Sequence, residues 1–370
     1  MTHPTRSIMI TAALLSAGLA AVGAAVLARP SLNPLAGEQA TIDGLAGLLP
    51  DTAAGAVLLI IGLLGVAGAV FRTHRAATLL GGTQTVAVGL LLISAHLIQL
   101  LGYLMAAIVP LGAVTLAVLA VHRYAWARFL VAGLTGVAAI WGAVTGVLAP
   151  ANVAAAFGRV GTASADQAGG LAVQLILAAT FVASLLVLVA RSTGSPLRTR
   201  FEDWLLRHRH ALTYVAAAGP LPYFLLRMTW LTPWPVGAPG GLDSPTRLWG
   251  LLLGCGGLVG SVLTVGLVRR WGRIAPRWWP VGAGRPVPVA AAVVPGLTVA
   301  AALTAAAVPM ILSAFDPTTV MSSPVERVLY LVVFPFGIWG PALALAVAAY
   351  AVSRERETTV PAAEGVLLAG

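Results

Sequence analysis

Long, predominantly apolar runs recur along the whole chain, near residues 8–28, 52–71, 129–149, 170–190, 211–231, 248–268, 287–312 and 328–350. A helix rises 1.5 Å per residue, so about 20 apolar residues are needed to cross a hydrocarbon layer of roughly 30 Å. The stretch 76–121 is long enough for two spans, 77–97 and 102–121, with a tight turn near 97–103. The spacing therefore predicts an all-α, polytopic integral membrane bundle of ten transmembrane helices. Composition argues the same way, with 59% hydrophobic residues, 9% charged residues and a mean hydropathy of +0.92. A soluble domain carries roughly 25% charged residues, because its surface faces water. This chain has too few to clothe a globule, and its surface is expected to face lipid.

All 22 basic residues are Arg, the habit of a GC-rich genome, so a bacterial plasma membrane is the expected location. Arginines also orient membrane helices, because cytoplasmic loops retain them. With ten spans and a cytoplasmic N-terminus, 17 fall on the cytoplasmic side: Arg6, Arg72, Arg75, Arg123, Arg128, Arg191, Arg198, Arg200, Arg207, Arg209, Arg269, Arg270, Arg273, Arg277, Arg285, Arg354 and Arg356. Only Arg29, Arg159, Arg247 and Arg327 fall outside, and Arg227 stays in the membrane. A single span over 76–121 would reverse the later loops and leave 6 inside against 15 outside. The ten-span plan places both termini in the cytoplasm, with 351–370 a short tail. Its first apolar run exceeds the 7–15 residues of a signal-peptide core, so it is expected to remain as a span. Topology accounts for the net charge of +10, and no nucleic-acid partner is needed. A single cysteine, Cys255, excludes an intramolecular disulfide.

No loop is long enough to fold as a separate domain. Two have character. Over 198–210, Phe201, Trp204, Leu205 and His208 recur at helical spacing among charged residues, which predicts a cytoplasmic interfacial helix. The stretch 269–286 mixes Arg269, Arg270, Arg273, Arg277 and Arg285 with Trp271, Trp278 and Trp279. Basic and aromatic residues together suit anionic lipid head groups at the cytoplasmic face, or plain topology anchoring in an aromatic belt. Membrane lipids are thus the expected partners, with a protein partner or a second copy as further candidates.

Ten spans with both ends inside suggest two inverted five-helix halves. AAIWGAVTGVLA (138–149) resembles FGIWGPALALAVA (336–348), and LLGGTQTV (79–86) resembles LLGCGGLV (252–259). Small-residue pairs such as Gly142/Gly146, Gly250/Gly254 and Gly256/Gly260 read as helix-packing positions. In span number and termini the plan resembles the small drug and metabolite exporters, an analogy of architecture alone.

The twelve acids all map to loops or tails, which argues against a carboxylate relay or a buried metal site in the membrane. No catalytic, metal or cofactor motif is present. What remains are polar residues in the outer half. Arg227 interrupts the run GPLPYFLLRMTWLTPWP (219–235), and Trp230 follows it. His96, Gln99 and Tyr103 fall at the predicted turn, and Gln174 near the start of the sixth span. Gln84 and Gln174 read as interhelical hydrogen-bonding groups. Pro220 and Pro222 should break the seventh span, and Pro335 and Pro341 the tenth. Broken spans are tolerated where protein or a watery cavity satisfies the freed backbone. A shallow Arg227 would otherwise snorkel to the head groups.

The functional expectation is a transporter or permease for an anionic or amphipathic small molecule or lipid, with Arg227, His96, Gln99, Tyr103, Gln174 and Trp230 as candidate binding residues. The alternatives are a non-catalytic membrane scaffold or regulatory subunit, and a lipid-modifying enzyme.

Overall fold

The computed structural model describes the chain apart from residues 1–2, 34, 36–48, 72–73, 93–95, 156, 159–167, 192–194, 239–240, 278, 280–281, 317–322 and 368–370. Among the described residues the regular structure is helical, with one isolated antiparallel bridge between Ile274 and Pro286. The main helices are α1 (His3–Ala28), α2 (Asp51–Val70), α3 (His74–Leu91), α4 (His96–Arg123), α5 (Ala125–Thr145) and α6 (Ala168–Arg191). They continue with α7 (Pro196–Ala218), α8 (Leu221–Met228), α9 (Ser244–Gly266), α10 (Val289–Phe315), α11 (Pro324–Val333) and α12 (Phe336–Leu367).

Among the described residues, six segments are long and apolar enough to cross a membrane: 8–28, 51–70, 125–145, 244–266, 289–315 and 324–357. They match the predicted spans one, two, five, eight, nine and ten. The described apolar parts of spans three, four and six are shorter, at 76–91, 108–123 and 174–189. The seventh differs in kind. The predicted interfacial segment 198–210 and the start of this span form one helix, α7, which ends at Ala218. Gly219 and Pro220 interrupt it, and α8 lasts only eight residues before a 3-10 turn at Thr229–Leu231.

The other local corrections have simple causes. Helix α3 ends at Leu91 and α4 begins at His96, so His96, Gln99 and Tyr103 belong to the first turns of α4 and not to a turn near 97–103. Pro222 sits in the first turn of α8, where its missing N–H breaks no bond, and Pro220 alone marks the interruption. Likewise α11 and α12 part at Phe334 and Pro335, whereas Pro341 lies within α12. The segment 351–367 continues α12. Ser323 and Glu326 form a capping box that starts α11, and the Asp243 carboxylate accepts from Thr246 N to start α9.

The chain divides into two compact units that alternate along the sequence rather than splitting it into successive halves. Residues 1–99, 166–203 and 304–322 form the first. In it α1, α2, α3 and α6 pack on one another. Gly23 and Gly62 permit the close approach of α1 and α2: a Cβ on either would strike the backbone of Leu59 or Ala20. Gln84 donates to Ser16 Oγ at 2.7 Å and Thr85 to Ser184 Oγ at 2.9 Å, joining α3 to α1 and to α6. The second unit comprises residues 100–165, 204–303 and 323–370, and in it α8 packs on α9 and α11.

Candidate functional site

The second unit holds two features that ordinary packing leaves unexplained, one at each end of α9. The first centres on Arg227. The helix restarts after Pro220, so Arg227 belongs to the short helix α8. Its Cβ and Cγ lie against α9 at Gly254, where a Cβ would come within 2.8 Å. The guanidinium stacks 3.8 Å from the Trp230 ring centre and 4.8 Å from that of Tyr223. Trp230 is only 4% exposed, and its ring lies against the cation.

Local sequence builds this arrangement. Tyr223 and Trp230 stand four residues before and three after Arg227, the two spacings that share a helix face. Trp230 fills the notch left by Gly250 and donates through Nε1 to the Val236 carbonyl at 3.0 Å. Thr229 Oγ1 accepts from Val236 N at 3.0 Å and donates to the Leu226 carbonyl at 2.7 Å. These bonds fold residues 229–236 over the site. A desolvated cation–π contact is worth roughly 2 kcal/mol, which offsets part of the burial of the charge. Tyr223 hydrogen-bonds to the guanidinium, but that contact leaves Nε–H over. Arg227 Nε is buried with no hydrogen-bond partner, and no carboxylate pairs with Arg227 among the described residues.

Among the described side chains of the other predicted binding residues, Trp230 is the one brought to Arg227. Gln174 is 4% exposed in α6 of the first unit, and its Oε1 has no hydrogen-bond partner among the described residues. Gln99 Oε1 is also buried and unpartnered. The side chains of His96 and Tyr103 lie outside the described residues. Tyr223 was missed by the sequence reading, although its spacing from Arg227 was a usable signal.

The second feature is a cavity of about 630 Å³ between the Gly266 end of α9, the start of α10, α12 and the loop 269–288. Gly260, Leu263, Pro295 and Trp339 are among its lining residues, and Arg285 is the one charged residue there. Exposed Arg285 and Pro286 lie at its loop end.

That loop is not a loose anchor. Ala275 N donates to Arg285 O at 2.9 Å, Gly284 N to Ala275 O at 2.8 Å and Val287 N to Arg273 O at 2.9 Å. Gly282 and Gly284 turn the chain with φ of +68° and +73°, which other residues rarely adopt. Trp271 and Trp279 line the cavity, and Trp278 lies outside the described residues. Arg269, Arg270 and Arg277 are exposed, but Arg273 pairs with Glu357 on α12. The Tyr350 hydroxyl donates to Gly272 O at 2.9 Å, and Arg354 donates to that hydroxyl at 3.0 Å and to Val287 O at 3.3 Å. Tyr350, Arg354 and Glu357 share one face of α12 by spacing. In the predicted interfacial helix, Trp204 packs on His208 with ring centres 4.8 Å apart.

No group of three His, Cys, Asp or Glu able to hold a metal occurs among the described residues. The geometry offers binding groups: a stacked cation at one place and a small-residue cavity with a single Arg at the other. No family model, curated protein or solved structure matches the chain.

Proposed function

We propose that the protein is a bacterial plasma-membrane permease of ten spans, with both termini cytoplasmic, for an anionic or amphipathic small molecule or lipid. The observation that carries this reading is Arg227, whose buried Nε has no partner while its guanidinium lies between Tyr223 and Trp230. A carboxylate or phosphate is the natural complement of the unpartnered Nε–H, and the two rings suit an apolar flank. Breaks at Gly219–Pro220 and at Phe334–Pro335 support a path lined by interrupted helices, as substrate sites of transporters are. Six helices long and apolar enough to span support the membrane setting, and the arginine balance supports the ten-span orientation.

Native mass spectrometry of the full detergent-solubilised chain tests the binding step. A small anionic mass should accompany the wild type, weaken in Arg227→Lys and vanish from Arg227→Ala. Identical spectra for wild type and a normally melting Arg227→Ala would remove the site and favour a membrane scaffold instead.

A further inference from the structure

We infer that the cavity beneath loop 269–288 seats one anionic phospholipid, its acyl chain between α9, α10 and α12 and its phosphate at Arg285. This inference is independent of the Arg227 site.

Shape and chemistry agree on the occupant. A volume of about 630 Å³ lies within the usual ligand-pocket range of roughly 300–1,000 Å³. Gly, Ala, Pro, Val and Leu supply much of the lining and present hydrocarbon over most of its surface. A wholly polar solute would lose its water there without recovering hydrogen bonds. The charge at the loop end is of one sign. Residues 266–300 contain five Arg and no acid, and Glu357 of α12, a carboxylate that reaches the loop, pairs with Arg273. Arg285 is therefore left for an anion, with exposed Arg269, Arg270 and Arg277 on the same loop.

The tether to α12 gives this arrangement its permanence. Bonds from Tyr350 and Arg354 hold the loop backbone at Gly272 and Val287, so Trp271, Trp279 and Arg285 are positioned before any lipid arrives. Such preorganisation reduces the ordering cost of binding. Trp271 also fills the notch at Gly266, which gives the loop a fixed seat on α9. The occupant is thus a resident structural lipid, separate from any molecule handled at Arg227.

The full chain in detergent, supplied with phosphatidylglycerol or phosphatidylcholine and observed by native mass spectrometry, tests the assignment. Wild type should retain phosphatidylglycerol in preference to phosphatidylcholine. Arg285→Ala should lower that preference about fivefold, the weight of one Arg near an anionic surface. Gly260→Phe should reduce retention of both lipids: Gly260 lines the cavity, and a Cβ there meets nothing within 4 Å, so the ring has room to occupy it. Equal retention of the two lipids by wild type would overturn the proposal, as would unchanged retention in a folded Gly260→Phe. Melting curves for each variant separate loss of binding from loss of fold.

Discussion

The two units use glycine for opposite ends. Around α1 and α2, Gly23 and Gly62 remove side chains so that backbones can meet, Gly65 leaves room for the Gln84–Ser16 pair, and Thr85 bonds Ser184. Around α9, glycines make room for large side chains from elsewhere: Gly250 for Trp230, Gly254 for Arg227 and Gly266 for Trp271. The second unit also leaves a guanidinium nitrogen unsatisfied beside its apolar notches and encloses a cavity. The unpartnered atoms of the first unit include the Gln99 and Gln174 amide oxygens. Close packing stabilises but leaves little room for a ligand. Open notches and unpaired donors cost stability, and they are where binding can occur.

The sharpest way to break this contrast is Gly62→Leu. Its side chain would drive Ala20 and the α1 backbone away from α2. The cost should exceed the roughly 3 kcal/mol of ordinary overpacking. No monodisperse folded protein is expected by size exclusion, and recovery of a stable variant would refute the backbone-contact account.

Trp230→Ala should come next. It empties the notch at Gly250 and uncovers Arg227, at about 3 kcal/mol by the scale of buried aromatic truncations. Thermal unfolding in detergent measures this loss, and a shift under one degree would show that the ring only decorates the surface.

Tyr350→Phe deletes one hydroxyl that links Gly272, Arg354 and α12, a loss of about 1 kcal/mol. The effect should be local. Trypsin should cut at Arg273 or Arg277 about fivefold faster, while global melting barely moves. Unchanged cleavage would mean that the loop holds itself without α12.

The smallest effect belongs to Gln84→Leu in the tightly packed unit. Interhelical hydrogen bonds in membrane proteins average about 0.6 kcal/mol, and the double variant with Ser16→Ala should show that coupling. A coupling near zero would remove the polar pair from the account of the first unit.

These contrasts also explain what the sequence could reveal. The apolar runs locate the helices, because hydrophobic length is a local property, and proline marks the breaks at Pro220 and Pro335. Residues within the α4 apolar run misled the turn placement, since His96, Gln99 and Tyr103 are polar residues in a helix that has already begun. Arg227 stood out as a cation among apolar neighbours. Its two rings lie at helical spacings that the same reading could have used. The cavity was not legible: Gly260, Pro295, Trp339 and Arg285 come from distant segments, and each alone resembles packing, a kink or a belt residue. A void belongs to the tertiary arrangement and leaves no local pattern.

One consequence concerns how α7 and α8 find their place on α9. Gly250, Gly254, Gly257 and Ser261 form a single stripe, met in reverse order by Trp230, Arg227, Pro220 and the Ala217 carbonyl. The stripe works like a keyway cut in one shaft, with all the teeth on the other. Alignment of the pair is therefore written almost entirely into residues 217–230, while α9 needs only to stay narrow. In related chains the two sides should diverge unequally, the keyway confined to the smallest residues and the teeth free to change with whatever the protein holds.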